Sequence, residues 1–173
     1  MIKEIDYTYC PSCGSPFEKI PPNLLRCTKC NLHFYVNPKP TTSILLINTA
    51  GEILFVIRKI DPKKGMLDLP GGFVDIDETL EEGMIREIDE ELGVAITVEK
   101  LRYLGSMVDE YEHGGIESRT INAMYTAPLP ENAHIVPADD VADFLFISPN
   151  KIPYEKLAFQ GMKDFLKTYY PRD

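Results

Sequence analysis

The alternation of apolar and polar positions predicts a β-hairpin directly after residue 40. Two runs rich in β-branched and aliphatic residues, 41–48 and 52–58, flank a short segment that ends in Gly51. Runs of this length on either side of a glycine-containing turn are typical of two antiparallel strands. Similar apolar runs predict three further strands, at 94–108, 118–127 and 141–147.

A different period, with apolar residues three and four positions apart, predicts a helix over residues 79–92. Thr79 precedes the apolar stripe and Glu82 follows three residues later, which is the capping-box pattern of a helix start. Gly93 follows the last helical residue, where a left-handed backbone favours glycine. We expect Gly83, in the middle of the helix, to allow a close approach to the sheet. The stripe consists of Leu80, Met84, Ile85, Ile88 and Leu92.

The order of these elements favours an α/β fold with a mixed sheet and helices on its faces. Residues 61–72 contain several prolines and glycines, which predict a loop region around one short strand. Residues 154–169 predict a final helix whose buried side carries Leu157, Phe165 and Leu166. Because strands and helices do not alternate regularly, a doubly wound parallel sheet is not expected.

The charge is unevenly spread over the 173 residues and indicates two modules. The net charge is −9, yet residues 1–40 carry five Lys and Arg against three Asp and Glu. Two prolines in residues 36–40 predict a stiff linker, so we predict a small domain over 1–38 and a larger one over 39–173. A strongly acidic chain does not attract nucleic acid over its whole surface, so nucleic acid is not an expected partner.

Neither a targeting segment nor a membrane span is expected. Charged residues interrupt the apolar ones in residues 1–6, which excludes the apolar core of a secretory signal there. The longest aliphatic runs are too short to cross a bilayer. We therefore expect a cytoplasmic protein in a reducing compartment, where cysteines bind metals more often than they form disulfides.

All four cysteines lie in two CxxC pairs, Cys10 with Cys13 and Cys27 with Cys30. Four thiolates at this spacing are typical of a tetrahedral Zn²⁺ site with no coordination position left for a substrate. A module of about 40 residues builds little core, so a bound metal would supply stability that packing does not. The predicted role of this site is therefore structural.

Three other residues of the same segment bear on this site. Gly14 and Asn31 each follow a CxxC pair and suit the tight turn of a zinc knuckle. His33 is either a spare ligand or a residue that packs in a strand, and we favour the strand. The segment as a whole resembles a zinc ribbon.

The helix over 79–92 also carries three carboxylates on one face. Glu87, Glu90 and Glu91 are related by steps of three and four residues, which brings their side chains together. Their mutual repulsion is unfavourable in an isolated helix, and a divalent cation among them would reverse its sign. Mg²⁺ and Mn²⁺ prefer oxygen ligands and commonly share them with substrate phosphates. The alternative is a solvated acidic face without a ligand.

The surroundings of these glutamates resemble the Nudix box. That pattern is Gly, five residues, Glu, seven residues, then Arg-Glu-aliphatic-x-Glu-Glu-x-Gly-aliphatic, and this chain departs from it nowhere. The matching residues are Gly72, Glu78, Arg86, Glu87, Ile88, Glu90, Glu91, Gly93 and Val94. The resemblance implies an α/β/α sandwich with a mixed sheet, and hydrolysis of a diphosphate linkage in a nucleotide-like small molecule with Mg²⁺ or Mn²⁺ as cofactor.

The resemblance also implies a role for most charged residues of the box. Glu87, Glu90 and Glu91 would bind the divalent cations, and Glu78 and Arg86 would form a salt bridge that holds the loop against the helix. The general base is less defined, and Glu90 or Glu91 is the first choice. Two alternatives for the base lie in the glycine-containing stretch 109–119, Glu112 and Glu117.

Four further residues are candidates for the same site. A backbone carbonyl near Gly71 and Gly72 is a further metal ligand implied by the resemblance, against a plain turn. Arg58, at the end of a strand, is a candidate for binding a substrate phosphate, against a surface ion pair. Tyr111 is a candidate for stacking on an adenine, against an exposed loop residue.

The order of the two modules is similar to that of NADH pyrophosphatases, which also carry a zinc ribbon before a Nudix domain. That group has a Ser-Gln-Pro-Trp-Pro-Phe-type motif after the box, whereas this chain contains no tryptophan. NADH is therefore not implied as the preferred substrate. ADP-ribose hydrolases usually have a proline soon after the box, and none occurs here between Val94 and Pro128.

We therefore predict cleavage of a nucleoside diphosphate linked to another moiety, in the dinucleotide, ADP-ribose or nucleotide-sugar class. A non-catalytic nucleotide sensor or nucleic-acid-binding regulator on the same fold is the alternative, and processing of capped RNA is a third. Family members are often dimers, so a homodimer is also expected.

Overall fold

The computed structural model describes residues 3–4 and 7–171, so the prediction about residues 1–6 lies mostly outside the described residues. The strands are β1 (Lys3–Glu4), β2 (Phe17–Ile20), β3 (Leu24–Cys27), β4 (His33–Tyr35), β5 (Lys39–Ile47), β6 (Ile53–Arg58), β7 (Leu67–Asp68), β8 (Arg102–His113), β9 (Ile116–Pro128) and β10 (Val141–Ile147). The helices are α1 (Leu80–Leu92) and α2 (Gln160–Tyr169), with 3-10 turns at Val98–Lys100, Pro149–Lys151 and Tyr154–Lys156.

The larger sheet is mixed and has the strand order β1-β9-β5-β6-β10, with β8 on β9 and β7 on β6. β9 pairs in parallel with β5 and β1, and the other pairs are antiparallel. The predicted hairpin is confirmed, because β5 and β6 meet at Ile47 and Ile53. The Asn48 side chain closes the turn by accepting the amides of Ala50 at 3.0 Å and Glu52 at 2.9 Å.

The larger sheet separates two hydrophobic cores. Met84, Ile88 and Leu92 of α1 pack on one face, and Met162 and Leu166 of α2 pack on the other. Burying one such side chain contributes about 1.5–3 kcal/mol, so both helices are held mainly by these contacts. The predicted α/β/α sandwich is thereby confirmed. It also explains why β5 is buried without alternation from Thr41 to Leu46, since a central strand is covered on both faces.

The predicted start and end of α1 are confirmed. Glu82 N donates to Thr79 Oγ1 at 3.2 Å, and the Glu82 carboxylate accepts from Thr79 N at 2.8 Å. Gly93 ends the helix with a φ of +64°. The prediction for Leu80 is wrong, because this side chain is 38% exposed at the first turn of the helix, before the buried stripe begins.

The explanation offered for Gly83 is also wrong. A Cβ at Gly83 would lie 3.3 Å from Val74 Cγ2 and 3.2 Å from Glu78 Oε2, so the close approach is to the preceding loop. This contact matters for the site, because that loop carries Glu78.

Two stretches of the chain differ from the predicted strand boundaries. The chain from Val94 to Leu101 buries some side chains but contains a 3-10 turn, and β8 begins only at Arg102. The stretch 109–119, predicted as a loop, is mostly the paired ends of β8 and β9 around Gly114 and Gly115. Cross-strand pairing stabilises these polar ends, and a search for apolar runs does not detect it.

Two further boundaries differ at the ends of the larger domain. The final helix begins at Gln160, because the segment before it forms the 3-10 turn Tyr154–Lys156. β5 already begins at Lys39, so only the first part of the predicted linker 36–40 precedes the sheet. Leu157 and Leu166 are buried as predicted.

The N-terminal segment forms its own small antiparallel sheet in the order β2-β3-β4. Strand β1 joins it to the larger sheet by pairing with β9 at Ile116 and Glu117. Of the helices in the described ranges, none has the length and apolar character that a bilayer crossing requires.

Candidate functional site

Arg86 connects the acidic face of α1 with the loop before it. Its Nε lies 2.7 Å from Glu78 Oε1 and its Nη2 lies 3.0 Å from Glu78 Oε2, so the pair is bidentate. Nη2 also donates to the Phe73 carbonyl at 2.9 Å. These hydrogen bonds from Arg86 hold the pKa of Glu78 below its ordinary value. The salt bridge implied by the resemblance is thus present, and it fixes residues 73–78 on the helix.

Two glutamates of α1 share a single cationic atom. Arg86 Nη1 lies 2.9 Å from Glu87 Oε1 and 2.9 Å from Glu90 Oε2. A single cation beside this face can therefore contact both carboxylates. A bound divalent metal would need the same two contacts. Burial raises the pKa of Glu87, and the charge of Arg86 opposes that shift. The Glu90 side chain is half exposed, so it also faces solvent.

Glu91 lies deeper than the other two glutamates, with only 3% of its surface exposed. Its Oε2 accepts a hydrogen bond from Gly71 N at 2.9 Å. Burial raises the pKa of Glu91 to about 10, and the neighbouring Asp140 carboxylate adds to the shift. A carboxyl group in this position must either hold a proton or face a cation, because a buried unpaired charge is costly.

Gly71, directly before the box, and Gly72, its first residue, allow close approach of the backbone at this point. A Cβ at Gly71 would overlap the carbonyl oxygen of Thr42, and a Cβ at Gly72 would lie 2.6 Å from the Glu87 carboxylate. The Gly72 carbonyl accepts Thr42 N at 2.9 Å, so it already has a partner in the sheet.

The three glutamates share a face of α1 but are held by different partners. Among the described residues, the cysteines are the group that brings three or more ligand atoms within 4.8 Å of one another. Glu87 and Glu90 offer oxygen donors around the single cationic atom of Arg86, and Glu91 offers a buried carboxylate beside Gly71.

Asp140 is an acidic residue of this site that the sequence reasoning missed. It lines the cleft and lies against Glu91. Lys59 holds its backbone, since Lys59 N donates to the Asp140 carbonyl at 2.7 Å and Lys59 Nζ donates to the Asp139 carbonyl at 2.9 Å. The available signal was the acidic pair Asp139-Asp140 directly before the apolar run of β10.

The alternative bases lie elsewhere. Glu112 and Glu117 pair across the β8-β9 hairpin, close to its turn at Gly114 and Gly115. Glu112 accepts the amide of Gly115 at 2.8 Å there, and neither glutamate is among the residues that line the cleft.

Arg58 lies in the cleft wall, and its ion pair is buried. Its Nη1 lies 2.8 Å from Asp68 Oδ2, and the two side chains are 11% and 13% exposed. Its Nε donates to the Pro62 carbonyl at 2.7 Å. Burial raises the pKa of Asp68 to about 6, and the charge of Arg58 opposes that shift. The ion pair considered as the alternative role of Arg58 is therefore present, but it is buried and does not lie on the surface.

Tyr111 lies in strand β8, so its assignment to an exposed loop is wrong. Its ring contacts Phe73 edge-on at 5.2 Å between centroids and stacks with Phe159 at 6.1 Å. Arg58 lies 5.3 Å from the centre of the Phe159 ring. These aromatic residues form one wall of the cleft that also contains Gly71 and Gly72.

The four cysteines converge in the small sheet. The Sγ atoms of Cys10 and Cys30 are 3.7 Å apart, those of Cys13 and Cys27 are 3.4 Å apart, and all four are free thiols. Amide groups in the second turn point at a sulfur atom, since Cys30 N lies 3.4 Å from Cys27 Sγ.

The flanking residues of the cysteine cluster behave as predicted, apart from the side chain of His33. Gly14 and Asn31 have positive φ values of +70° and +59° at the two turns. His33 lies in strand β4 and outside the cluster, as predicted, but its side chain is exposed and not packed as expected.

Comparison with known proteins agrees with this architecture. A family model described as the NUDIX domain matches residues 37–169. An ADP-ribose pyrophosphatase from Methanocaldococcus jannaschii is 33% identical over 125 residues, which cover 70% of this chain and 70% of that protein. The NAD-capped RNA hydrolase NudC from Pseudomonas fluorescens is 30% identical over 109 residues, 62% of this chain. The chain spans only 38% of the length of that NudC protein.

Solved structures have the same fold. A NUDIX hydrolase from Nitrosomonas europaea superposes with a TM-score of 0.68 at 25% identity, covering 94% of this chain and 90% of that one. A bifunctional NMN adenylyltransferase/ADP ribose pyrophosphatase from Francisella tularensis, complexed with AMP and a manganese ion, superposes with a TM-score of 0.58 at 28% identity. That match covers 76% of this chain and 41% of the other. The matched family model, the relatives and the complete box together place this chain in the Nudix hydrolase family.

Proposed function

We propose that the protein is a divalent-metal-dependent pyrophosphohydrolase. Its substrate class is a nucleoside diphosphate linked to a second moiety, as in a dinucleotide, ADP-ribose or a nucleotide sugar. The observation that carries the proposal is the set of carboxylates on α1, one of them buried, beside a backbone that glycine leaves open. The archaeal relative described as an ADP-ribose pyrophosphatase supports the same class.

Glu87, Glu90 and Glu91 are the residues that would hold Mg²⁺ or Mn²⁺, together with the backbone carbonyl of Gly71 or Gly72. The Gly72 carbonyl already accepts Thr42 N, which favours Gly71 as the carbonyl ligand. The metal supplies charge neutralisation of the diphosphate and a lowered pKa for a bound water.

The chain itself positions these groups. Arg86 fixes the loop 73–78 and keeps Glu87 and Glu90 oriented toward one cation position. Glu90 or Glu91 would take the proton of the attacking water at a carboxylate oxygen, because Glu91 lies against Asp140, which lines the cleft, and Glu90 is its neighbour on α1. Arg58 is engaged by Asp68 and Pro62. We therefore assign Arg58 to stabilising the cleft wall and not to binding a phosphate. Tyr111 stays the candidate for contacting the substrate.

The test is phosphate-anhydride hydrolysis with Mg²⁺ or Mn²⁺ against ADP-ribose, NADH, dinucleoside polyphosphates, nucleotide sugars and nucleoside triphosphates. On the best substrate, Glu90→Gln and Glu91→Gln are expected to lower kcat by about 100-fold or more, because each removes an anionic ligand or the base. Asp89→Asn is the matched control, since Asp89 is an exposed carboxylate on the same helix. Its kcat is expected to stay within about twofold, as for a surface substitution away from the site.

Two outcomes would contradict the proposal. Unchanged turnover in both glutamine variants would remove the role of these glutamates. Tight nucleotide binding without hydrolysis of any substrate would favour the sensor function instead.

We also propose that Cys10, Cys13, Cys27 and Cys30 bind one structural Zn²⁺ in a ribbon domain over 1–38, before the Nudix domain over 39–173. Tetrahedral coordination at Zn–S distances of about 2.3 Å places sulfur atoms about 3.8 Å apart. The sulfur separations of 3.4 Å and 3.7 Å are close to that value.

Three expectations about partners and location stay predictions. A homodimer is tested by light scattering of the purified protein. Cytoplasmic localisation is tested by cell fractionation. Weak nucleic-acid binding, expected from the acidic charge, is tested by salt-dependent binding to single-stranded RNA.

A further inference from the structure

The cleft contains a polar surface that the proposed hydrolysis does not use. It lies on the α2 side of the larger sheet, where Ser43 of β5 and Asn122 of β9 lie on neighbouring parallel strands. Asn122 Nδ2 donates to Ser43 Oγ at 2.8 Å. Thr120, two residues before Asn122, lines the same cleft and is only 5% exposed. Side chains two residues apart on a strand point to the same face.

One hydrogen-bonding group of this surface has no partner within the chain. Asn122 Oδ1 is buried and, in the part of the chain that the structure describes, accepts no hydrogen bond. Turning the amide would give Oδ1 the Ser43 contact and leave the amino group unpartnered instead. A buried polar group without a partner is destabilising. The arrangement therefore points to a ligand, and a hydroxyl group can satisfy either orientation because it both donates and accepts.

The charge of the cleft decides what kind of ligand group fits there. Asp68, Asp109 and Asp140 line it, and Arg58 is the cation that the described lining residues supply. Arg58 is already paired with Asp68. A further phosphate or carboxylate on the substrate would be repelled at this end of the cleft. A neutral group rich in hydroxyls would not be repelled there.

The aromatic wall supports the same conclusion. Tyr111 and Phe159 stack with an interplanar angle of 25°, and both line the cleft beside the polar residues. A sugar ring has both a face of C–H groups and an edge of hydroxyls. It therefore matches a cleft with one aromatic wall and one polar floor.

We propose that this surface binds the sugar of the moiety on the far side of the diphosphate, with Asn122 as a specificity-determining residue. The proposal rests on the proposed function, because it places the sugar next to the bond that is cleaved. It assigns the preferred substrates to nucleoside diphosphates linked to a ribose or another sugar.

The test compares ADP-ribose with the β-methyl ester of ADP, which has a methyl group in place of the distal ribose. Asn122→Ala is expected to lower kcat/KM for ADP-ribose by about five- to tenfold and to leave kcat/KM for the methyl ester unchanged. Ser43→Ala, which removes the contact that orients Asn122, is expected to act in the same direction. Thr126→Ala is the matched control, because Thr126 lies on the same strand and bonds the Leu45 carbonyl.

Each result decides the proposal. An equal loss on both substrates, or no loss on either, overturns it. If Asn122→Ala lowers the midpoint of thermal unfolding by more than the Thr126→Ala control does, its loss of activity reflects lost stability. The two substrates are then compared with the Ser43→Ala variant instead. If the wild type hydrolyses neither these two compounds nor any other member of the substrate panel, the proposed function fails, and affinities for the two compounds measured with Ca²⁺ decide the sugar site. Equal affinities of wild type and Asn122→Ala for ADP-ribose would then exclude it.

Discussion

Gly71 and Gly72 differ in what surrounds them, although both lie beside the carboxylates. An added Cβ at Gly71 meets backbone atoms of Thr42 and Ser43, at a φ of +139° that side chains rarely adopt. The three atoms nearest to an added Cβ at Gly72 all belong to the carboxylate end of the Glu87 side chain, and none is backbone. The first glycine is therefore required by the fold, and the second by the position of a single side chain.

This difference predicts a separation of stability from activity. Gly72→Ala is expected to displace Glu87 and lower kcat/KM by about tenfold or more, with little change in the free energy of unfolding. Gly71→Ala is expected to destabilise the protein by about 1–3 kcal/mol, because backbone has to move. Urea unfolding and hydrolysis of the best substrate check both variants. Equal losses of activity at equal losses of stability would contradict the assignment.

Glu91 couples stability to pH when no metal is bound. Its pKa is about 10 in the folded chain against an ordinary value of 4.5. The stability that its proton contributes is fully present below pH 4.5 and is lost as pH rises through the folded pKa. Between these values the folded state holds a proton that the unfolded state has released.

In metal-free protein we therefore expect the free energy of unfolding to fall between pH 6.5 and 8.5. The slope from Glu91 is at most about 1.4 kcal/mol per pH unit. Glu91→Gln is expected to remove that part of the slope, and saturating Mg²⁺ is expected to reduce it because the ion binds the carboxylate. A chelator that makes the protein metal-free would also remove zinc. The slopes of wild type and Glu91→Gln are therefore compared in the same chelator-containing buffer. Identical slopes would argue against a buried neutral Glu91.

At the scale of elements, α1 begins at a capping box that directly follows Glu78, the partner of Arg86. The Glu82 carboxylate accepts the Thr79 hydroxyl at 2.9 Å as well as the Thr79 amide. These bonds, with the bidentate Arg86–Glu78 pair, join the loop and the first turns of the helix into one unit.

Thr79→Ala is expected to destabilise the protein by about 1 kcal/mol, because it removes the hydroxyl that caps Glu82 N. Thr79→Ser keeps the hydroxyl and is expected to retain most of the stability. The midpoints of urea unfolding, compared at unchanged slope, measure both effects. A serine variant as unstable as the alanine variant would show that the methyl group of Thr79 matters more than its cap.

At the scale of the whole molecule, we expect the proposed ribbon and the larger domain to carry separate tasks. Cys10 and Cys27 are 2% exposed in the small sheet, and no cysteine is among the residues that line the cleft. The β1–β9 pairing joins the two parts through the end of the β8-β9 hairpin. Losing the metal should therefore unfold the ribbon and leave the chemistry of the cleft in place.

We expect one zinc per wild-type chain and close to none in Cys27→Ser. Hydrogen exchange in β2–β4 should become fast in this variant, because a domain this small needs its metal. Hydrolysis should stay within a few-fold of the wild type. His33→Ala is the matched control and should keep its zinc, since His33 lies outside the cluster. Full amide protection in the zinc-free variant would show that the ribbon folds by packing alone.

The sequence by itself determined those features whose parts lie close together along the chain. Glu87, Glu90 and Glu91 share a face because a helix repeats every 3.6 residues, and the two CxxC pairs and the Thr79–Glu82 cap are equally local. Only the tertiary structure decided which distant residues meet them. Asp140 reaches Glu91 through the turn before β10, and Asn122 reaches Ser43 through the parallel pairing of β9 with β5. Such contacts depend on strand order and register, which no local spacing encodes.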